Sequence, residues 1–236
     1  QALNIHLWCA KNSRPGWIEK AQSIADSRGV GVRFCVGNEE YGTFVTMPGL
    51  GTYSHTADLV APPGVDFGAS LSRQPDVTWE DFRERRLAPL EAAGGRLIWQ
   101  FNENEELTRV YLDDSVLRGG YAAIATFHFG NPNFANAEPF LQRYRGQIPY
   151  IALQDAHGGE SWWWGDMLAG FRTVFLAEEP TWEGWLRALD NDWVAAFRHD
   201  AVSGGQTWRH AGRDDVLAAI QRQWQAWRWW ENPRIQ

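Results

Sequence analysis

The chain has 236 residues, 44% of them hydrophobic, a formal net charge of −7 and a sequence pI of about 5.4. That length and apolar content suit a single domain over residues 1–236 with a substantial core. The acidic balance and dispersed arginines argue against a nucleic-acid surface, and no apolar run approaches the roughly 20 residues needed to span a bilayer.

The chain opens on Gln1, not Met, which reads as a processed product or a piece of a longer reading frame. Nothing at its start looks like a signal peptide. Cys9 and Cys35 are too few for a disulfide framework, and free buried thiols are the expected state.

Hydrophobic periodicity predicts an alternation of short strands and amphipathic helices. In chain order, strands are expected at Leu3–Trp8, Val30–Val36, Arg96–Phe101, Ala122–Phe127, Pro149–Gln154, Arg172–Ala177 and Trp193–Arg198. Helices are expected near Gly16–Arg28, Trp79–Ala93, Glu105–Leu117, Ala137–Tyr144, Trp162–Ala169, Thr181–Asp190 and Asp214–Trp230. Thr78 and Thr181 stand where a hydroxyl caps a helix start, each followed by acids in the first turn. Gly29, Gly94 and Gly170 are placed as helix stops. Glu40–Pro75, rich in Gly, Pro, Ser and Thr, reads as one long active-site loop.

Strand followed by helix seven times over implies a parallel sheet, which a closed barrel buries best. The expectation is therefore an α/β fold, a distorted (β/α)7 TIM-like barrel, with a doubly wound open sheet as the alternative.

In such a barrel the chemistry gathers where the strands end. Ile148–Gln154 runs straight into Asp155–Ala156–His157–Gly158, and the last strand opens onto His199–Asp200. Five of the six histidines, His6, His55, His128, His157 and His199, fall at strand ends or in the long loop. Glu39 and Glu40, Asn102 and Glu103, Asp155 and Asp200 join them. This mixed imidazole and carboxylate set suits Zn, Mn or Fe.

These residues resemble the PHP superfamily (polymerase and histidinol phosphatase), nearest its CehA/McbA-like branch. Gly37–Asn38–Glu39 with Ser54–His55, then Leu153–Gln154–Asp155–Ala156–His157–Gly158, then Phe171–Arg172–Thr173–Val174 with Trp185–Leu186–Arg187–Ala188–Leu189 carry the likeness. The resemblance implies a distorted (β/α)7 barrel and one to three divalent ions held by His6, Glu39, His55, Asp155 and His157. The chain departs from the family at Asn4, where an opening His-x-His would start, and at Asn102–Glu103, where a His-Pro would end a strand. Strand pleat admits only one of Glu39 and Glu40 inward, and the Gly37-x-Glu spacing favours Glu39.

The expected function is metal-dependent hydrolysis of phosphoesters or related esters of a small molecule, with His128, His199 and Asp200 in acid and base roles. Arg172 and Arg198, in or beside strands, are candidates to bind a substrate anion, with Asn102 and Glu103 beside them. A second reading is a glycoside hydrolase. The chain has 15 tryptophans, Trp163 among them in the run Trp162–Trp164, and aromatic faces stack on sugars. Glu103 would pair with Glu178 or Glu179 across the mouth. A third reading is a metal-free binding domain. His210 stands outside the strand-end set and reads as incidental.

Overall fold

The computed structural model describes residues 16–29, 33–47, 51–65, 78–100, 113, 120–127, 137–153, 171–199 and 203–227. Helix α1 (Trp17–Ser27) precedes two long strands, β1 (Val36–Met47) and β2 (Gly51–Ala61). Trp79–Phe82, a π turn at Arg83–Leu87 and Ala88–Ala92 follow one another and together form α2. Next come β3 (Arg96–Gln100), β4 (Tyr121–Phe127), α3 (Ala137–Tyr144) and β5 (Tyr150–Ala152). The remainder is β6 (Phe171–Phe175), α4 (Trp182–Asp190), β7 (Val194–His199), β8 (Gln206–Arg209) and α5 (Asp214–Trp227). No helix among the described residues is long and apolar enough to cross a membrane.

The strands form two sheets, and the expected (β/α)7 barrel is not what the chain adopts. One sheet runs β1-β2-β3-β4-β5 and the other β6-β7-β8. Only β3-β4 and β4-β5 pair in parallel; β1-β2, β2-β3, β6-β7 and β7-β8 are antiparallel. A parallel barrel needs a crossover after every strand. Here β1 pairs antiparallel with β2, the next strand in sequence, and β7 with β8 in the same way. The long stretch expected as a loop therefore holds a strand pair, paired from Val36↔Ala61 out to Met47↔Gly51 with an irregularity between Glu40 and Thr43. The strand expected at Leu3–Trp8 and the helix at Trp162–Ala169 lie outside the described residues, as does Glu105–Leu117 apart from Asp113.

Local sequence logic holds where it concerns helix ends. The Thr78 hydroxyl accepts from the Asp81 amide at 3.0 Å, and the Asp81 carboxylate accepts from the Thr78 amide at 2.9 Å. This reciprocal pairing holds the Asp81 carboxyl below its ordinary range, with the Thr78 side chain as the leading cause. Thr181 Oγ1 accepts from the Gly184 amide at 3.0 Å. Helix α2 ends at Gly94 (φ 77°), where Gly95 N–H donates to Leu90 and Gly94 N–H to Glu91. Those two bonds are the Schellman pattern.

The first sheet is buried at alternate positions as well, Leu59 and Leu97 among them, and one core cluster lies on its face covered by α4 and β7. Val60, Ile98, Ala123, Ala125 and Ile151 pack there with Trp185, Ala188, Leu189 and Val194. Alternation explains the choice: Val60 and Ile98 are two rows apart in register, so both face α4. Helix α4 presents Trp185, Ala188 and Leu189 at the spacing of one helical face. Trp182 stacks on Trp185 with centroids 4.8 Å apart and donates its indole N–H to Gly94 O at 3.1 Å. On the far side of the second sheet, Trp224 of α5 packs against Phe197 and Trp208. The thiol of Cys35 is buried and free, and burial pushes its pKa up to about 12. Cys9 lies outside the described residues.

Candidate functional site

The parallel strands β3, β4 and β5 end side by side at Gln100, Phe127 and Ala152, with Gln100 opposite Ala125 and Phe127 opposite Ala152. They define one carboxyl edge, which we call the rim. Antiparallel β2 meets β3 only from Ala57↔Trp99 to Val60↔Arg96. The outer half of the β1–β2 hairpin therefore continues past the end of β3, on the rim side. Strand β7 points the same way: Val194 packs with Ile98 and Ile151, and Ala196 packs farther along with Phe127, Ala152 and Phe171.

The ends of β4 and β5 are tied to the second sheet by polar contacts. Thr173 Oγ1 accepts from the Ala152 amide at 2.9 Å and donates to the Ala152 carbonyl at 2.8 Å, so one hydroxyl serves both backbone groups of the last β5 residue. Arg209 Nη1 donates to Thr126 O at 2.5 Å, and its guanidinium lies 4.3 Å from the centre of the Phe127 ring. Phe127 in turn stacks on Phe171 at 6.2 Å, with planes 16° apart. Leu153 N–H donates to Phe127 O at 2.9 Å. These contacts fix the two positions from which the chain proceeds to His128 and to Asp155–His157. Sequence reasoning gave Thr173 and Arg209 no role: Thr173 reads as an ordinary β-branched strand residue, and Arg209 ends a four-residue strand with no apolar run to mark it.

The predicted site residues are distributed as follows. Glu39 pairs with Asp58, and His55 pairs with Thr43 beyond the irregularity, three residues along β2, or about 10 Å. Arg172, Arg198 and His199 are half-buried in the second sheet. Arg198 is opposite Phe171 and Thr207, on the face where Ala196 meets the ends of β4 and β5. Arg172 is opposite Phe197, and so the pleat sends it to the other face, as it does His199, opposite Gln206. Two arginines expected to grip one anion thus leave opposite faces. Arg172 Nη1 donates to Phe171 O at 2.8 Å, and burial pulls its guanidinium down to about 10. His6, Asn102, Glu103, His128, Asp155, His157, Trp163 and Asp200 lie outside the described residues.

Glu178 and Glu179 stand at the other end. Strand β6 finishes where β7 begins, with Phe175 opposite Val194 and Leu176 N–H donating to Trp193 O. Trp182, just after these glutamates, reaches Gly94, which precedes the start of β3. Gln100 is four residue steps farther, about 13 Å along the strand. The two glutamates therefore do not face the end of β3 from which Glu103 follows.

Among the described residues no three of His, Cys, Asp and Glu gather as a metal centre. The donor types that follow the rim strands in sequence, carboxylate and imidazole, fit a divalent ion in their chemistry. The chain matches no protein-family model and no curated protein.

Proposed function

We propose that the chain is a hydrolase of small-molecule esters that works at the rim formed by β3, β4, β5 and β7. One observation carries the reading: these strands share one carboxyl edge, and each is followed in sequence by a residue able to bind a metal or move a proton. In open α/β sheets the crevice outside the carboxyl ends of the strands is where ligands bind. Asn102, Glu103, His128, Asp155, His157 and Asp200 follow these strands in sequence even though the expected barrel is absent.

In this reading Asp155 and His157 would supply a carboxylate and an imidazole to a divalent ion, and the PHP resemblance implies Glu39, His55 and His6 as ligands within a set of one to three ions. Such an ion would lower the pKa of water toward neutrality and polarise a phosphoryl or carbonyl oxygen. His128, which directly follows β4, protonates the leaving group. Arg198 offers its charge to an anionic ester from the face of β7 turned toward β4 and β5. Asp200, which follows β7 in sequence, is the further acid or base of the set, whereas His199, expected to share that role, leaves β7 on the other face.

The glycoside hydrolase reading loses its proposed second carboxylate, since Glu178 and Glu179 follow β6 at the opposite end of the sheets. The test is the metal content of purified protein, wild type against the Asp155→Ala, His157→Ala double variant, followed by hydrolysis of phosphate, carboxylate and carbamate esters. Near-stoichiometric Zn, Mn or Fe that the variant loses, together with ester turnover that falls with it, is the expected result. Wild type that takes up no metal on incubation and hydrolyses no ester overturns the reading and leaves a binding domain.

A further inference from the structure

The α4–β7 turn and the β8–α5 turn meet at the end of the sheets opposite the rim, and their contact holds four unusual features. The first is conformational. Helix α4 ends in the same pattern as α2, with Trp193 N–H donating to Ala188 O at 2.7 Å and Asp192 N–H to Leu189 O at 3.0 Å. The residue that takes the left-handed position is Asp192 (φ 55°), the one non-glycine with positive φ among the described residues. Glycine fills that position without the cost of about 1 kcal/mol that a side chain brings. Aspartate is among the few other residues that take this conformation, and here it sets a carboxylate at the contact between the two turns.

The second feature is His210. Its Nδ1 lies 2.7 Å from Val194 O at the start of β7, and its Nε2 lies 3.0 Å from Arg213 O at the entry to α5. Carbonyl oxygens only accept, so both contacts are hydrogen bonds only when the ring carries both protons and a positive charge. The third is that Asp192 is the carboxylate facing that ring. Burial raises its pKa to about 6, and the charge of His210 pulls against the rise. Its Oδ1 is buried with no hydrogen-bond partner. The fourth is the absence of room: a Cβ on Gly212 would stand 2.6 Å from Asp192 Oδ2 and 3.1 Å from His210 Cε1.

The other charged groups of these elements are engaged elsewhere or exposed. Asp190 pairs with Arg96, Asp214 with Arg145 and Asp215 with Arg213, and Arg187 is exposed. Asp192 and His210 are left to each other.

We infer that Asp192 and His210 form a protonation-controlled latch between the α4–β7 and β8–α5 turns. It is closed when the imidazolium donates to Val194 and Arg213 and faces the Asp192 carboxylate. Loss of the second ring proton turns a nitrogen lone pair onto one of the two carbonyls, and the β8–α5 turn is released. The latch does not depend on the proposed hydrolase activity.

The test is nitrogen NMR of the intact chain labelled at histidine, from about pH 5 to about pH 8, the range in which imidazoles titrate. Backbone hydrogen exchange over residues 203–220 is read on the same samples, and His210→Gln assigns the signal. The expected result is a doubly protonated His210 ring while the segment is protected, with exchange about tenfold faster, beyond the chemical rate, once the second proton leaves. Asp192→Asn, which tolerates the left-handed backbone, is expected to move the joint transition to lower pH. Asp192→Gly keeps the turn and removes the carboxylate, and it should do the same. A ring that stays a neutral single tautomer while the segment is protected overturns the latch. So does protection that persists after the second proton is lost, or a transition that neither variant moves.

Discussion

The two ends of the strands divide the work of this molecule. At the base, where β3 and β7 begin, polar groups are answered by near neighbours: Trp182 by Gly94, Arg96 by Asp190, His210 by Val194 and Arg213. At the rim, the ends of β4 and β5 are answered by Thr173, Arg209 and the Phe127–Phe171 stack, and β3, β4, β5 and β7 then continue in sequence into carboxylates, amides and imidazoles. The difference teaches where substitutions should register. Changes at the base should show as stability and pH response, and changes following the rim should show as lost metal and lost turnover.

The largest expected effect is that of Trp185→Ala, which empties the centre of the core joining α4, β7 and the first sheet. Loss of a buried tryptophan of this kind costs about 3–5 kcal/mol. Urea unfolding followed by circular dichroism measures it, and a loss below 1 kcal/mol on the same scale would break the assignment of the core to this face.

Gly212→Ala comes next. Its methyl has no space beside Asp192 and His210. Overpacking of this kind costs about 1–3 kcal/mol, read in the same unfolding assay. An unchanged midpoint would show that the two turns do not meet as described.

A smaller effect sharpens the electrostatic side of the comparison. The Asp192 carboxyl is raised by burial from the ordinary 3.8 to about 6 in the folded chain, with His210 opposing. Between those values the folded chain binds more protons than the unfolded one. The Asp192 contribution to stability is therefore fully present below about pH 4 and lost as pH rises through about 6. Because the group is partly exposed, screening reduces the loss to about 1 kcal/mol. Asp192→Asn should flatten that part of the stability profile, and a slope equal to that of wild type would assign it to another group.

The smallest stability change is expected after the rim. Asp155→Ala and His157→Ala should each leave the unfolding midpoint within about 0.5 kcal/mol of wild type, measured without added metal. A loss comparable to that of Trp185→Ala would make these residues structural and erase the division between the two ends.

Much of the local structure was legible because it is written in short-range patterns. The apolar runs of β3, β4, β6 and β7 and the one-sided faces of α4 and α5 appear within a residue or a few of where periodicity puts them. Thr78, Thr181, Gly29 and Gly94 act as the caps and stops that their chemistry predicts. The β1–β2 hairpin was missed because its strands carry Gly, Thr and Ser in place of an apolar run. Its available signals were the β-branched and aromatic residues Thr43–Thr46 and Thr52–Tyr53 around the Pro48–Gly49 turn pair. Strand β8, only Gln206–Arg209, is too short and too exposed to stand out.

The sequence alone determined the strands β3 to β7, the helices around them and where several helices start and stop, since those choices depend on neighbours a few residues away. Only the tertiary structure decided strand direction, and with it two sheets in place of a barrel. Pairing is settled between residues far apart in the chain, and an apolar run has the same pattern whether its partner is parallel or antiparallel. It likewise decided that His210, which nothing nearby in sequence distinguishes, faces Asp192 across a contact between two turns. Charge complementarity of that kind exists only after the chain has brought its distant parts together.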